Sequence, residues 1–315
     1  MLAYHIRNYF GPKAIFFLPY RWCFLRQSST NPGMKKALLT DLRKGTGYSF
    51  AKCNEALKQC NNNLQEAELW LHEQAEKEGW SKAKKLNKRS TNQGLVGILA
   101  EDNYVAIVEL ACETDFVARN ELFQELVSTA AQSTLHFRQQ VILQNQKVNS
   151  LNNNDVTHLR EFLLQHELQT LTVKNGSVTL QEHLVSLVGK IGENMKLKRA
   201  IAIATNRENI VGTAVHGNIT ACINNCFMGS YASTVVLKPL HQDCDAINLK
   251  QLANGISQHV IGMNPQFLHP PHGNDNDEEA LLSQEYLLND KIKIKDIVRQ
   301  NNVEIVDFVR YGVNE

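Results

Sequence analysis

The strongest constraint on the fold is a pair of apolar segments, residues 95–100 and 104–112, separated by the polar turn Glu101-Asp102-Asn103. In the second segment every other residue falls on one face: Tyr104, Ala106, Val108, Leu110 and Cys112. This alternation predicts a β-hairpin with a three-residue loop. A sheet of this kind needs helices to cover its apolar face.

A helix is predicted immediately after the hairpin. From about Asp115 onward, apolar residues recur at helical spacing: Phe123, Leu126, Val127 and Ala130. Thr114 or Asp115 is the expected N-cap, because both side chains can accept hydrogen bonds from the first free N–H groups of a helix. Residues 139–157 are rich in Asn and Gln and are predicted to form an exposed loop.

The chain beyond residue 158 alternates between helical and strand patterns. Helices are predicted at 159–164, 184–191, 247–263 and 278–290, and strands at 195–203, 210–216, 220–227, 231–238 and 303–311. The alternation predicts an α+β fold. Its core would have two α/β subdomains, residues 94–195 and 196–315, each with an antiparallel sheet packed by helices.

Residues 34–80 predict a separate unit of three short helices. Its apolar ridges are Leu38, Leu39 and Leu42, then Ala56, Leu57 and Cys60, then Leu64, Ala67, Leu71 and Ala75. Gly79 is the expected end of the third helix. A bundle this small buries little apolar surface, so we expect it to pack against the rest of the molecule.

Two basic segments flank this unit. Residues 1–33 hold no acidic side chain, because Asp41 is the first acid of the chain. This composition predicts an organelle transit peptide, with a disordered tail as the alternative. Residues 81–93 carry a basic cluster: Lys82, Lys84, Lys85, Lys88 and Arg89. A solvated linker is the favoured interpretation, and a contact with nucleic acid or an acidic partner is the alternative.

The composition excludes several classes of protein. The 33 basic and 32 acidic residues leave a net charge of +1, which makes nucleic acid an unexpected partner. No apolar run reaches the length of about 18 residues that a transmembrane helix needs, so no membrane is expected as a partner. The seven cysteines do not suggest a disulfide framework.

Catalytic and nucleotide-binding motifs are missing from the sequence. Neither G-x-x-x-x-G-K-[ST] nor a G-x-G-x-x-G after a strand occurs, so we expect no direct nucleotide binding. Cys222 and Cys226 would share one face of a strand, which favours core packing over metal binding. A hydrolase using His216 and Cys222 would lack an apparent acid to orient the histidine. The residues therefore predict a binding protein without cofactor or metal, not an enzyme.

The segment 113–120, Glu-Thr-Asp-Phe-Val-Ala-Arg-Asn, resembles the signature of the elongation factor Ts family. Other stretches that resemble the family follow in order along residues 34–315: Thr46-Gly47, Cys53, Ala56-Leu57, 82–85, 191–195, His216-Gly217, 263–265 and 308–311. Residues 48–51 depart from the family's Gly-x-Met-Met, although Phe50 keeps an apolar anchor there. The short segment after Pro265 and the basic leader resemble the mitochondrial branch.

This resemblance implies a guanine-nucleotide exchange factor for elongation factor Tu that works in the mitochondrial matrix as a one-to-one complex. The N-terminal unit would resemble a ubiquitin-associated bundle that docks on the partner's G domain. The residues implied to contact the partner are Thr114, Asp115, Phe116, Val117, Arg119, His216, Gly217 and Phe50. Among them, Phe116 is implied to enter the G domain as a wedge.

Alternatives remain for one residue and for the function. Phe116 has a second interpretation as a core residue, because on a continuous helix it would share a face with Phe123 two turns later. A ubiquitin-binding adaptor is the first alternative function, based on residues 34–80. An RNA-binding organelle protein is the second, based on the basic cluster, and it predicts a steep salt dependence of affinity.

Overall fold

The computed structural model describes residues 32–48, 50–148, 159–173, 176, 178–241, 245–270 and 278–315. The predicted transit peptide lies almost entirely outside these residues. The helices are α1 (Pro32–Thr46), α2 (Phe50–Gln59), α3 (Leu64–Leu86), α4 (Asp115–Ala118), α5 (Glu121–Val148), α6 (Gln165–Thr170), α7 (Leu180–Ile191), α8 (Ala246–Met263) and α9 (Ile294–Gln300). None of the described helices is long and apolar enough to cross a membrane.

The strands form two antiparallel sheets and one short hairpin. They are β1 (Gln93–Glu101), β2 (Tyr104–Cys112), β3 (Leu159–Leu164), β4 (Met195–Ala204), β5 (Ile210–His216), β6 (Ala221–Ile223), β7 (Cys226–Gly229), β8 (Tyr231–Pro239), β9 (Glu285–Tyr286), β10 (Asn289–Lys293) and β11 (Val303–Gly312). The first sheet has the order β3-β4-β2-β1-β7-β6, and the second has the order β11-β8-β5. The α+β class expected from the sequence is confirmed.

The central hairpin of the first sheet joins β1 to β2 through a two-residue turn, because Glu101 pairs with Tyr104. The predicted three-residue loop is therefore wrong by one residue. Alternation along β2 is confirmed, and it serves two cores. Residues such as Val108 and Leu110 pack beneath α5 and α7, whereas Ile107 faces the second sheet. The molecule is thus layered as helices, first sheet, second sheet and α8.

A β-bulge at Lys198 interrupts the alternation in β4. Glu109 of β2 pairs with Arg199, but the next residue, Leu110, pairs with Leu197. One extra residue therefore lies on β4, and it exchanges the two faces of the strand. As a result, Leu197 packs beneath the helices while Ile201 packs against the second sheet.

The two sheets do not follow the predicted boundary between residues 195 and 196. That boundary falls inside β4, which pairs with β2 along its length. Strands β6 and β7 also come from the later segment of the chain, yet they extend the first sheet beyond β1. Sheet membership and chain order therefore differ at this point.

The N-terminal bundle packs against the core, as its small size predicts. Its third helix does not end at Gly79 but continues to Leu86, so the first half of the predicted linker is helical. At Gly79, a Cβ atom would clash with the carbonyl oxygen of Val185 on α7. At Gly189 of α7, a Cβ would lie 2.5 Å from the carbonyl oxygen of Ala75. The two helices cross at these glycines, and we call this crossing the α3–α7 seam.

Several predictions of secondary structure are wrong. Residues 159–164 form the edge strand β3 rather than a helix, and α5 extends to Val148 through part of the predicted loop. The rest of that loop, residues 149–157, lies outside the described residues. Residues 278–290 hold a short 3₁₀-helix and the β9–β10 hairpin instead of a helix.

The predicted strand 220–227 is also wrong, because it folds back as a hairpin of β6 and β7. The turn residues Asn224 and Asn225 have φ values of 50° and 61°. Asn tolerates this left-handed region, and two such residues in succession form a tight hairpin turn. Cys222 and Cys226 therefore lie on different strands, where Cys222 is exposed and Cys226 is buried. They do not share one face as the sequence suggested.

Candidate functional site

The candidate site is the segment between β2 and α5, residues 113–120, which we call the α4 junction. Thr114 adopts an extended conformation and caps α4, since its hydroxyl oxygen accepts a hydrogen bond from the backbone N–H of Val117 at 3.3 Å. The predicted N-cap is confirmed. Val117 and Ala118 are 3% and 1% exposed, so the inner face of α4 is anchored in the core. Val117, predicted to contact a partner, is buried in this structure.

The junction breaks the helix that the sequence predicts from Asp115 onward. After the four residues of α4, the side chain of Asn120 accepts a hydrogen bond from the backbone N–H of Leu122 at 2.9 Å and starts α5. The break changes the direction in which the preceding residues face. Phe123 is completely buried, whereas Phe116 is 80% exposed. The interpretation of Phe116 as a core residue is wrong.

Two polar contacts tie the junction to the loop between α7 and β4. The hydroxyl of Thr114 donates to the carboxylate of Glu193 at 2.9 Å. The backbone N–H of Asn194 donates to the carboxylate of Glu113 at 2.7 Å, and its side-chain amide donates to the carbonyl of Arg89 at 2.9 Å. We call this set of four residues and Arg89 the junction clamp.

The sequence did not point to the clamp as part of a site. Glu193 and Asn194 belong to the stretch 191–195 that resembles the family, but no role followed from that resemblance. The only sequence signal was the order of the two motifs. Their meeting depends on Gly192, which ends α7 with a φ of 86°, and on the antiparallel pairing of β4 with β2.

Charged residues lie before and after Phe116 in the α4 junction. Asp115 and Arg119 form an i,i+4 ion pair at 3.8 Å, and both are about half exposed. On the buried side, burial together with the charge of Glu193 raises the pKa of the Cys112 thiol to about 12. That thiol is therefore neutral near pH 7 and has no thiolate character for nucleophilic chemistry.

A second predicted contact, Phe50, belongs to the N-terminal bundle. Phe50 is the first residue of α2 and is 59% exposed. The loop before it contains Gly47, where a Cβ atom would lie 3.6 Å from the side chain of Leu122 at the start of α5. Beside it, Tyr48 is buried, and the ammonium of Lys190 lies 5.3 Å from its ring centroid. Gly47 and Tyr48 therefore lie beside the start of α5 and the end of α7.

His216 and Gly217, also predicted to contact a partner, lie at the end of β5 in the second sheet. His216 is exposed and pairs with Tyr231. Gly217 has a φ of 145°, and a Cβ there would lie 2.6 Å from the backbone nitrogen of Ser230. The close approach explains why this position needs glycine. His216 and Gly217 therefore lie at the end of a strand of the second sheet, whereas the α4 junction follows β2 of the first sheet.

The basic cluster is partly neutralised within the protein. Lys82 forms an ion pair with Glu78 at 3.1 Å, and Arg89 forms one with Glu113 at 3.5 Å. Lys82 is therefore paired within α3, and Arg89 is paired with a residue of the junction clamp. Across the described residues, no cluster of His, Cys, Asp and Glu is arranged to hold a metal ion.

Comparisons with known proteins match two regions of this chain to family models and most of its length to relatives. Residues 23–81 match the family model "Elongation factor Ts, mitochondrial, N-terminal", and residues 113–272 match "Elongation factor TS". A Nematostella vectensis protein named "Elongation factor Ts, mitochondrial" is 46% identical over 88% of this chain and 98% of its own length. Proteins of that name from Rattus norvegicus and Homo sapiens are 37% and 38% identical, covering 94% and 89% of this chain and 89% and 83% of their own.

The matches define a class of protein first, the translation elongation factors. Within it, the chain belongs to the elongation factor Ts family, and the relatives named here are its mitochondrial members. The family model for the N-terminal part begins at residue 23, inside the segment predicted to be a transit peptide.

Proposed function

We propose that this protein binds mitochondrial elongation factor Tu in its GDP form and promotes release of GDP, so that GTP can enter. The interaction would be one-to-one and would take place in the mitochondrial matrix. No covalent chemistry is needed, so the protein would act as a binding partner and not as an enzyme. The role of the α4 junction would be to insert the ring of Phe116 into the partner's G domain.

The exposure of Phe116 is the observation that carries this proposal. A phenylalanine that is 80% exposed leaves most of its apolar surface in water. Burying such a side chain is worth about 1.5–3 kcal/mol, and a complex could recover this free energy. The inner face of α4 is anchored in the core by Val117 and Ala118, and a pre-positioned aromatic residue loses little entropy on binding.

The energetics of exchange are compatible with such a wedge. A thousandfold acceleration of GDP release requires a barrier lower by roughly 4 kcal/mol. One aromatic anchor could supply part of this, and contacts from the bundle and the second sheet would supply the remainder. Because binding at coupled sites is reciprocal, a protein that weakens GDP binding must itself be bound less tightly by the GDP form than by the nucleotide-free form.

The test is the rate of release of a fluorescent GDP analogue from purified mitochondrial elongation factor Tu. We expect the Phe116→Ala variant to lose at least tenfold in exchange activity, equivalent to about 1.4 kcal/mol. The matched control is Phe162→Ala, because Phe162 is a 59% exposed phenylalanine on the edge strand β3. It should retain wild-type activity.

Full exchange activity in the Phe116→Ala variant would refute the proposed wedge. Absence of any effect of the wild-type protein on GDP release would refute the proposed function as a whole.

Light scattering on the purified complex tests the stoichiometry, and a mass near twice that of the heterodimer would contradict a one-to-one complex. N-terminal sequencing of the mature protein tests removal of the leader near residue 30, and an intact Met1 would contradict it.

The alternative functions predict different binding partners. A ubiquitin adaptor would use the bundle alone, but the α3–α7 seam favours a bundle that acts together with the core. An RNA-binding protein would use the basic cluster, and two members of that cluster are already paired with Glu78 and Glu113. A pull-down with elongation factor Tu, ubiquitin and RNA in parallel separates the three functions.

A further inference from the structure

We propose that Glu193 is a positioning residue that, through Thr114, holds Phe116 in the orientation needed for nucleotide exchange. This inference rests on the proposed function. It assigns a functional role to the α7–β4 loop, whose residue Glu193 contacts the N-cap of α4, Thr114. Asn194 supports the same role from the other side of the clamp.

The first argument concerns the size of α4. A helix of four residues is too short to be stable by itself, because nucleation costs more than a single turn of hydrogen bonds returns. Its orientation must therefore be set by contacts at its ends and on its inner face. Val117 and Ala118 supply the apolar contacts on the inner face, and the hydrogen bonds of Thr114 act at the N-terminal end.

The second argument concerns Thr114, which has two hydrogen bonds with different functions. Its oxygen accepts from the backbone N–H of Val117 and so caps α4. Its hydroxyl proton is directed to Glu193 at 2.9 Å. The carboxylate acceptor therefore fixes the rotamer of the cap, and the cap fixes the direction of the first turn that carries Phe116.

The third argument concerns the origin of the loop. Glu193 immediately follows the left-handed Gly192 at the end of α7, the helix that packs on the N-terminal bundle at the α3–α7 seam. The neighbouring Asn194 is 3% exposed and bonds both Glu113 and the backbone of Arg89, just beyond the end of α3. The clamp therefore ties the segment that begins α4 to the loop after α7 and to the segment after α3.

The chain contains a matched pair that serves as a control. Thr179 caps α7, and its hydroxyl donates to the carboxylate of Glu182 at 3.0 Å. This pair has the same chemistry as Thr114 and Glu193, but its two residues lie on one helix end and do not join separate segments. Loss of Glu182 should therefore affect local helix stability without affecting Phe116.

The experiment measures two quantities in Glu193→Ala, Thr114→Val, the double variant and Glu182→Ala. The first is the maximal GDP-release rate from elongation factor Tu, separated from the concentration giving half-maximal rate. The second is the ¹⁹F NMR signal of 4-fluorophenylalanine placed at position 116 in the free protein. Thr114→Ser keeps the hydroxyl and both of its hydrogen bonds, so it is the conservative rescue variant.

We expect Glu193→Ala and Thr114→Val each to lower the maximal rate at least fivefold and to alter the ¹⁹F signal. The double variant should be no worse than Thr114→Val, because that change already removes the Thr114–Glu193 hydrogen bond that Glu193→Ala removes. Thr114→Ser and Glu182→Ala should behave like the wild type. Multiplicative losses in the double variant, or equal behaviour of Glu193→Ala and Glu182→Ala, would overturn the proposal.

The two readouts separate failure of this inference from failure of the proposed function. If Phe116→Ala keeps full exchange activity, the wedge is wrong, and the ¹⁹F signal of the free protein still decides whether Glu193 orients residue 116. If Phe116→Ala is impaired but Glu193→Ala changes neither rate nor signal, the wedge stands and the positioning role is wrong.

Discussion

The α4 junction and the α3–α7 seam both join segments that are distant in sequence, but the junction depends mainly on hydrogen bonds and the seam mainly on close backbone packing. The junction holds a four-residue helix through hydrogen bonds of Thr114 and Glu113, and it leaves the ring of Phe116 in solvent. At the seam, Gly79 and Gly189 bring two helix backbones together, and a hydrogen bond from the ammonium of Lys82 to the carbonyl of Gly189 at 3.4 Å also joins the two helices.

The difference separates the positioning of an exposed side chain from the stabilisation of the fold. Close backbone contact buries surface on both helices and tolerates little change, because tightly packed interiors cannot accommodate added atoms. Directional hydrogen bonds can fix an orientation without burying the side chain that they orient. Substitutions at the seam should therefore affect stability first, and substitutions on the outer face of the junction should affect function first.

The largest expected effect is the loss of stability when the ring of Phe123, the buried phenylalanine near the start of α5, is removed. Phe123 is completely buried, so Phe123→Ala should lower the free energy of unfolding by about 3–5 kcal/mol. Phe116→Ala should change it by about 0.5 kcal/mol or less, because the ring is exposed. Denaturant unfolding of both variants checks this, and equal losses of stability would remove the distinction between the two phenylalanines.

The next largest effect is expected at the seam. Gly189→Ala places a methyl group 2.5 Å from the carbonyl oxygen of Ala75, which should cost about 1–3 kcal/mol of stability by overpacking. Gly45→Ala in α1 is the control, because nothing lies within 4 Å of its Cβ position. That variant should be neutral or more stable by up to about 1 kcal/mol. If Gly189→Ala is as stable as Gly45→Ala, the seam is looser than the structure indicates.

A smaller loss of stability is expected at low pH, and His183 on α7 should cause part of it. Burial, followed by the charge of Lys190, lowers the pKa of His183 on α7 below its ordinary value of about 6.5. The unfolded chain therefore binds this proton more readily as pH falls below about 6.5, and stability decreases there by at most about 1.4 kcal/mol per pH unit.

Unfolding at pH 7.5 and 5.5 tests the contribution of His183. The His183→Gln variant should lose less stability between these pH values than the wild type. Part of the loss should remain, because burial also lowers the pKa of His259 on α8. An identical loss in variant and wild type would show that His183 does not contribute.

The smallest effect is expected from the ion pair on the outer face of the junction. Asp115 and Arg119 are about half exposed at a separation of 3.8 Å, so Asp115→Asn should change the free energy of unfolding by about 0.5 kcal/mol or less. Thermal unfolding in low and high salt checks this. A loss above about 1 kcal/mol would mean that the junction contributes to stability as well as to function.

Much of the candidate site could be predicted from the sequence, but its direction could not. The resemblance of residues 113–120 identified the segment, and the hydroxyl of Thr114 identified the cap. The pattern at Phe123 correctly predicted the buried face of α5, yet its extension back to Phe116 was wrong. Helical periodicity assumes a continuous axis, and the Asn120 cap that ends this continuity is only a local signal.

The fold shows the same division. Strong periodicity correctly predicted β2, α7 and α8, because their apolar residues repeat over several turns or strand periods. It was wrong where the pattern was short or two-sided. Residues 159–164 form an edge strand because β4 has hydrogen-bonding groups available beside them. Gly79 lies inside α3 and not at its end, and its lack of a side chain allows the close approach of α7.

The sequence by itself determined the family, the α+β class, the apolar stripe of α5 and the identity of the motif that carries Phe116. These properties depend on residue types and spacings that neighbours in the chain can express. The tertiary structure decided that Phe116 faces solvent, that Glu193 and Asn194 meet Thr114 and Glu113, and that the bundle joins the core at two glycines. These properties depend on contacts between residues far apart in sequence, and such contacts form only when the strands and helices are packed together.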